Sequence, residues 1–293
     1  MERLYNAETM LERWKDFEGQ EIEVYEEFRL FTSEVISRTA FGSSYIEGKN
    51  IFDMLIKIGS LIFKNSLKVR VPGISKFFKT SDEIESDKLE IESVKKREKK
   101  ARPEEKDSFG SDFLGLLLKA RHNANDNHRI SVDELIDECK TFYFAGQETT
   151  NTSLAWTVLL LALHTDWQEE ARKEVIIIWQ TNSKSRWHFQ NENPEREVKL
   201  GKLIIPANLE LVVSTIAPHQ DPKIWGQDVH LFKQDRFSEG VLKATNNNVG
   251  AFIPFGLGPR TYVGLNFATT EAKIALSMIL QRYSFTLSPG YVH

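Results

Sequence analysis

Apolar positions recur at helical spacings through the first two-thirds of the chain. Residues 8–38 place Met10, Leu11, Trp14, Val24, Phe28, Leu30, Phe31, Val35 and Ile36 at intervals that predict helix, and the polar stretch Met1–Arg13 is already helix-like. A second apolar segment, Ile51 to Leu67, is ended by Val71-Pro72-Gly73. From Asp82 to Lys106 the chain is charged, with Lys95-Lys96-Arg97-Glu98-Lys99-Lys100 at its centre. The interleaved acids predict a solvated helix and loop rather than a nucleic-acid patch. Phe113 to Ala120 reads as a short helix and His122–His128 as a polar loop. Ser131 with Glu134 three residues on is a capping box, and it opens a long helix. Beyond it the pattern changes. Val198-Lys199-Leu200-Gly201 through Ile205-Pro206-Ala207 predicts a β hairpin, and Ala268 to Phe285 a final amphipathic helix.

Composition narrows the classes. With 293 residues and 41% hydrophobic content, the chain can bury a substantial core as one large domain or two. A formal charge of −4 gives no reason to expect a nucleic-acid partner. The single cysteine, Cys139, forms no intramolecular disulfide and reads as a small helix residue. No apolar run reaches the ~18 residues of a membrane span, and the N-terminus is no signal peptide, so the chain as written is expected to be soluble. No His/Cys/Asp/Glu spacing suggests a structural metal, and no phosphate loop, Ser-His-Asp set or nucleophile elbow is present.

One stretch carries chemistry: Pro254-Phe255-Gly256-Leu257-Gly258-Pro259-Arg260-Thr261-Tyr262-Val263-Gly264. It resembles the F-x-x-G-x-R-x-C-x-G loop of the cytochrome P450 family, in which the cysteine is the axial ligand of haem iron. That resemblance gives each residue a role. Gly256 and Gly258 would adopt backbone angles closed to other residues and let the chain approach the porphyrin. Arg260 would pair with a haem propionate, Phe255 would pack beside the ligand and exclude water, and Gly264 would open the next helix. The axial position is held by Tyr262. A phenol has an unperturbed pKa of about 10 against about 8.5 for a thiol, and phenolate ligation, known from catalase, supports different chemistry from a thiolate.

A second string, Phe144-Ala145-Gly146-Gln147-Glu148-Thr149-Thr150, resembles the A-G-x-E-T-T of the family's central helix on the distal face of the haem. There Ala145 and Gly146 would leave room for dioxygen and a local break in the helix ladder. Glu148 and Thr149 would form an acid–alcohol pair relaying protons. The competing reading is a buried helix with a tolerated glycine and hydroxyls bonding the preceding turn. Further resemblances follow in family order. Trp167-Gln168-Glu169-Glu170-Ala171-Arg172 looks like the next helix. His219-Gln220-Asp221-Pro222 with Ile224-Trp225-Gly226 is similar to an H-x-D-P-x-x-W-G surface turn. Phe232-Lys233-Gln234-Asp235-Arg236-Phe237 is similar to F-x-P-E-R-F, with Gln234 for proline and Asp235 for glutamate.

The resemblance implies a mainly α fold with small β sheets, an incomplete cytochrome P450 fold. Residues 1–165 would form a helical part holding the central helix, and 166–293 the hairpin, haem loop and final helix. It is most similar to plant members acting on terpenoid or hormone-like substrates. Activity of the family kind would be haem-dependent monooxygenation of a small lipophilic substrate, with dioxygen and electrons from a flavoprotein reductase, at the endoplasmic reticulum. This chain departs from the pattern at Tyr262, in its length, and in its E-x-x-R helix. Against the family it lacks the upstream anchor and first part of the fold, which points to a cytoplasmic, soluble product. No E-x-x-R string occurs from Ile176 to Glu197, where the family places it. Glu26–Arg29 and Glu169–Arg172 fall in other helices and read as surface pairs. In the family that motif joins the arginine matching Arg236 in a buried ion network, and breaking one side of such a network costs about 3–5 kcal/mol. Three functions remain: an active monooxygenase, a non-catalytic or pseudogene-like homologue, and a tyrosinate-ligated haem protein. Catalytic impairment is the expectation.

Overall fold

The computed structural model describes residues 2–42, 109–123, 130–173, 189–192, 196–207, 211–258 and 261–292. The expected segments Ile51–Leu67, Val71–Gly73 and Asp82–Lys106 lie outside the described residues, as does most of the loop His122–His128. The chain divides into two compact units, Met1–Ala155 and Trp156–His293.

The first unit is helical. The stretch expected as helix over 8–38 is two helices, α1 (Glu2–Trp14) and α2 (Val24–Phe41), with a short 3-10 turn at Lys15–Phe17. The break falls where Gly19 takes φ +76° and the residues around it are polar. Glu23 then caps α2, its carboxylate accepting the Glu26 N–H at 2.7 Å, and Gly42 ends it with φ +60°. On α1 the buried residues Ala7, Met10, Leu11 and Trp14 follow the helical period, and the Trp14 ring meets Phe28 of α2 with centroids 6.0 Å apart.

Two further helices follow among the described residues, the second continuing past Ala155. In α3 (Phe113–Asn123), Leu114 and Leu118 pack with Leu135, and Cys139 is half-buried against that cluster, as a small helix residue. The helix runs past the expected end at Ala120 to Asn123, and in this added turn His122 stacks on Phe109, centroids 4.9 Å apart. The central helix, α4, spans Val132–Leu163. It opens on the expected capping box: the Ser131 N–H donates to Glu134 Oε2 at 2.7 Å, and the Glu134 N–H donates to Ser131 Oγ at 3.1 Å. Hydrogen bonding from the Ser131 backbone N–H, and then from its side chain, holds the Glu134 carboxyl below its usual range.

The second unit carries α5 (Thr165–Lys173) and two antiparallel strand pairs. Strands β2 (Val198–Leu200) and β3 (Leu203–Ile205) form the expected hairpin, with Val198 opposite Ile205. Strands β1 (Phe189–Glu192) and β4 (Leu211–Ser214) pair around it, Phe189 opposite Ser214. That pair was not expected, since four-residue strands so far apart leave too short an alternation to read. Short turns follow: α6 (Ile216–His219), α7 (Pro222–Trp225), a 3-10 turn (Gln234–Phe237) and α8 (Val241–Ala244). Trp225, Val229 and Phe237 form their core, with Phe252 against it. The last helix, α9 (Leu265–Arg282), buries Ala268, Ala272, Ala275, Leu276, Ile279 and Leu280 on one stripe. It stops short of the expected Phe285, where Tyr283 turns extended.

Candidate functional site

The glycine-rich loop is built from its own backbone. The Gly256 N–H donates to the Ile253 carbonyl at 3.1 Å, and the Thr261 N–H to that of Gly258 at 3.1 Å. The Tyr262 N–H closes the loop on the Phe255 carbonyl at 2.9 Å. Gly256 and Gly258 hold φ of +76° and +89°, the left-handed region expected of them. A Cβ on Gly258 would meet nothing within 4 Å, so that side of the loop is open. Gly264 caps α9, and its carbonyl accepts the Ala268 N–H at 2.8 Å. Arg260 lies outside the described residues.

The phenol at position 262 folds back on this frame. Its ring stacks on Phe255 with centroids 5.9 Å apart at 29°. Its Cε1, Cζ and Oη lie 3.0, 3.2 and 3.3 Å from where a Cβ on Gly264 would stand. Gly264 therefore serves the tyrosine as well as the helix, since a Cβ there would press on the ring and require it to give by a few tenths of an ångström.

The central-helix string lies in the other unit. Thr149 Oγ1 donates to the Ala145 carbonyl at 2.6 Å, and Glu148 Oε1 accepts from Tyr25 Oη and Thr152 Oγ1, each at 3.2 Å. The expected break in the ladder is not there, because α4 is helical throughout Val132–Leu163. Nor is Gly146 lined by empty space: a Cβ there would lie 2.6 Å from Ile36 Cδ1. The glycine admits α2 close to α4.

Two sequence expectations change around the loop. His219 is not a surface residue; it is 8% exposed, and its Nε2 accepts the Ile253 N–H at 2.9 Å. Arg172 is more than half of a surface pair with Glu169. Its guanidinium also donates to the carbonyls of Leu280 at 2.7 Å and Tyr283 at 2.8 Å. Neither bond has a local sequence signal, since each joins residues distant in the chain. The pair Arg29–Glu26, by contrast, is an i,i+3 ion pair at 2.7 Å, as expected. Among the described residues no group of three His, Cys, Asp or Glu could hold a metal ion, and no helix is long and apolar enough to cross a membrane.

Comparison with known proteins decides the family. The sequence model described as Cytochrome P450 matches residues 4–192 and 188–292. Cytochrome P450 CYP749A22 of Panax ginseng is 53% identical, covering 98% of this chain and 61% of that protein. The chain belongs to the cytochrome P450 family. A 7-deoxyloganic acid hydroxylase of Catharanthus roseus is 38% identical over 93% of this chain and 59% of its own length. The chain thus spans about three-fifths of the curated P450 relatives it matches. The solved structure of retinoic acid bound cyanobacterial CYP120A1 superposes with a TM-score of 0.76 at 24% identity, covering 98% of this chain and 68% of that one. At that identity the likeness speaks for the fold, which is a P450 fold.

Proposed function

We propose that this chain is a P450 family member without thiolate-dependent monooxygenase activity. The observation that carries the reading is Tyr262, at the axial position of the family loop, with its ring packed on Phe255 and Gly264. The loop residues can be tested against a haem one by one. The closed backbone and the open side at Gly258 suit the close approach of a flat ring. The donor set does not suit a haem-thiolate centre. Tyr262 offers an oxygen from a group whose pKa is ordinarily about 10, turned onto the start of α9. No oxygen-activating step follows from these residues.

The central helix supports the same reading. In it Gly146 is a packing residue, seated on Ile36, while Thr149 bonds the Ala145 carbonyl in the preceding turn and Glu148 bonds Tyr25. Each proposed catalytic group has a structural task. A reductase, dioxygen and a small lipophilic substrate belong to the active family chemistry, and they are not proposed for this chain.

The test is the carbon-monoxide difference spectrum of the purified, haem-supplemented and reduced chain. The expected result is no band near ~450 nm, the signature of a thiolate ligand. A band there in the parent chain overturns the proposal, and its loss in Cys139→Ser would then name the ligand. A band appearing only in Tyr262→Cys would assign the defect to the donor alone.

A further inference from the structure

We infer that His219 is the positioning residue of the glycine-rich loop, its Nε2 acting as the fixed acceptor from which the loop is hung. The inference rests on the loop's own hydrogen bonds and holds whether or not a haem is ever captured. A backbone N–H can only donate, so the 2.9 Å contact from Ile253 requires a lone pair on Nε2. His219 is therefore neutral there, with its proton on Nδ1. Ile253 is the first residue of the loop's bonding chain: its carbonyl accepts the Gly256 N–H at 3.1 Å, and the adjacent Phe255 carbonyl accepts the Tyr262 N–H at 2.9 Å.

The imidazole is itself held. It ends α6, and one residue before it the Pro218 carbonyl accepts the Trp225 indole N–H at 2.7 Å. The Phe252 ring lies 5.5 Å from the imidazole, 6.0 Å from Trp225 and 5.4 Å from Phe237. The acceptor thus stands on a packed aromatic cluster, and the loop starts from a point that cannot drift. Fixing Ile253 fixes the turn at Gly256, and through Phe255 the position of Tyr262.

Amide hydrogen exchange on the full chain tests this, with two variants that differ in acceptor capacity. His219→Gln can offer a carbonyl oxygen near the Nε2 position, whereas His219→Leu offers none. Exchange at Ile253, Gly256 and Tyr262 is expected to accelerate about ten-fold or more in His219→Leu, to stay near wild type in His219→Gln, and to leave the α9 amides unchanged. Loop exchange at the wild-type rate in His219→Leu overturns the inference. So does equal acceleration in both variants, or acceleration shared by α9, since either would mean the ring matters only as packing. The unmodified chain gives a second measurement that needs no variant to fold. Nitrogen-15 shifts of the His219 ring at neutral pH should show an unprotonated Nε2, and a protonated Nε2 would sink the assignment.

Discussion

Arg236 donates to the carbonyls of Trp225 and Asp228 and to the Asp228 carboxylate at 3.2 Å. In the family pattern this arginine joins an E-x-x-R helix, and because no such string occurs from Ile176 to Glu197 it was expected to have lost those partners; that segment lies largely outside the described residues. Within its own turn the guanidinium is already occupied, which is how the turn keeps its shape around a chain that carries Gln234 and Asp235 in place of proline and glutamate. Asp228 is the other half of the arrangement. Hydrogen bonds from Lys233, at 2.6 Å, and then from Arg236 hold its carboxyl at about 2. The sign follows from linkage: a folded pKa below the unfolded value of about 3.9 gives stability that is present above that value and lost as pH falls toward 2. Asp228→Asn should therefore unfold at lower urea than wild type at pH 6, with the gap closing between about pH 4 and pH 2. Urea midpoints followed by tryptophan fluorescence at several pH values check this. A gap that stays constant with pH would show that the carboxylate is not the source.

Between elements the telling contact is Gly146 of α4 against Ile36 of α2. Alanine at a helix interior normally gains about 1 kcal/mol over glycine. Here its Cβ would stand 2.6 Å from Ile36 Cδ1 and 3.1 Å from Cγ1, in a side chain that is 3% exposed. Overpacking costs about 1–3 kcal/mol, so the clash wins, and Gly146→Ala should destabilise the protein by about 1 kcal/mol. Shortening the obstacle with Ile36→Val should relieve part of that cost, giving a coupling of at least about 0.5 kcal/mol in a double-mutant cycle of unfolding free energies. Additive effects would mean the helices yield elsewhere. The same helix shows which features could be read in advance. The Ser131–Glu134 box is a local pattern and was legible, and Ser131→Ala should cost the helix start about 1 kcal/mol, measurable in thermal unfolding. The purpose of Gly146 was not legible, because it depends on a residue more than a hundred positions earlier in the chain.

For the molecule as a whole, that distinction divides what sequence could reveal from what it could not. The helices α3, α4, α5 and α9, the β2–β3 hairpin and the left-handed glycines of the loop have local signatures, and these were expected. The split between α1 and α2 was missed because apolar spacing resumed on the same period across the polar residues around Gly19. The β1–β4 pair, the His219–Ile253 bond and the Arg172 contacts were missed because nothing local announces them. Gln168 is the clearest long-range tie. Its side-chain NH2 donates to the carbonyls of Leu161 at 3.2 Å and Phe285 at 2.8 Å, and its Oε1 accepts the Phe285 N–H at 3.1 Å. One amide thus links the end of the central helix to the segment after α9, 117 residues away, from a position that is 2% exposed. Gln168→Leu keeps the volume and removes these three bonds together with the 3.4 Å one that Gln168 Oε1 accepts from Arg172, leaving buried backbone groups without that partner at a cost of about 2–4 kcal/mol. The segment from Tyr283 onward should then become sensitive to limited proteolysis while the α9 core still protects itself, because Arg172 continues to hold the Leu280 carbonyl. Urea unfolding gives the first quantity and the cleavage pattern the second. An unchanged midpoint with an uncut tail would mean that Arg172 alone closes the unit, and the double variant with Arg172→Ala would then have to release it.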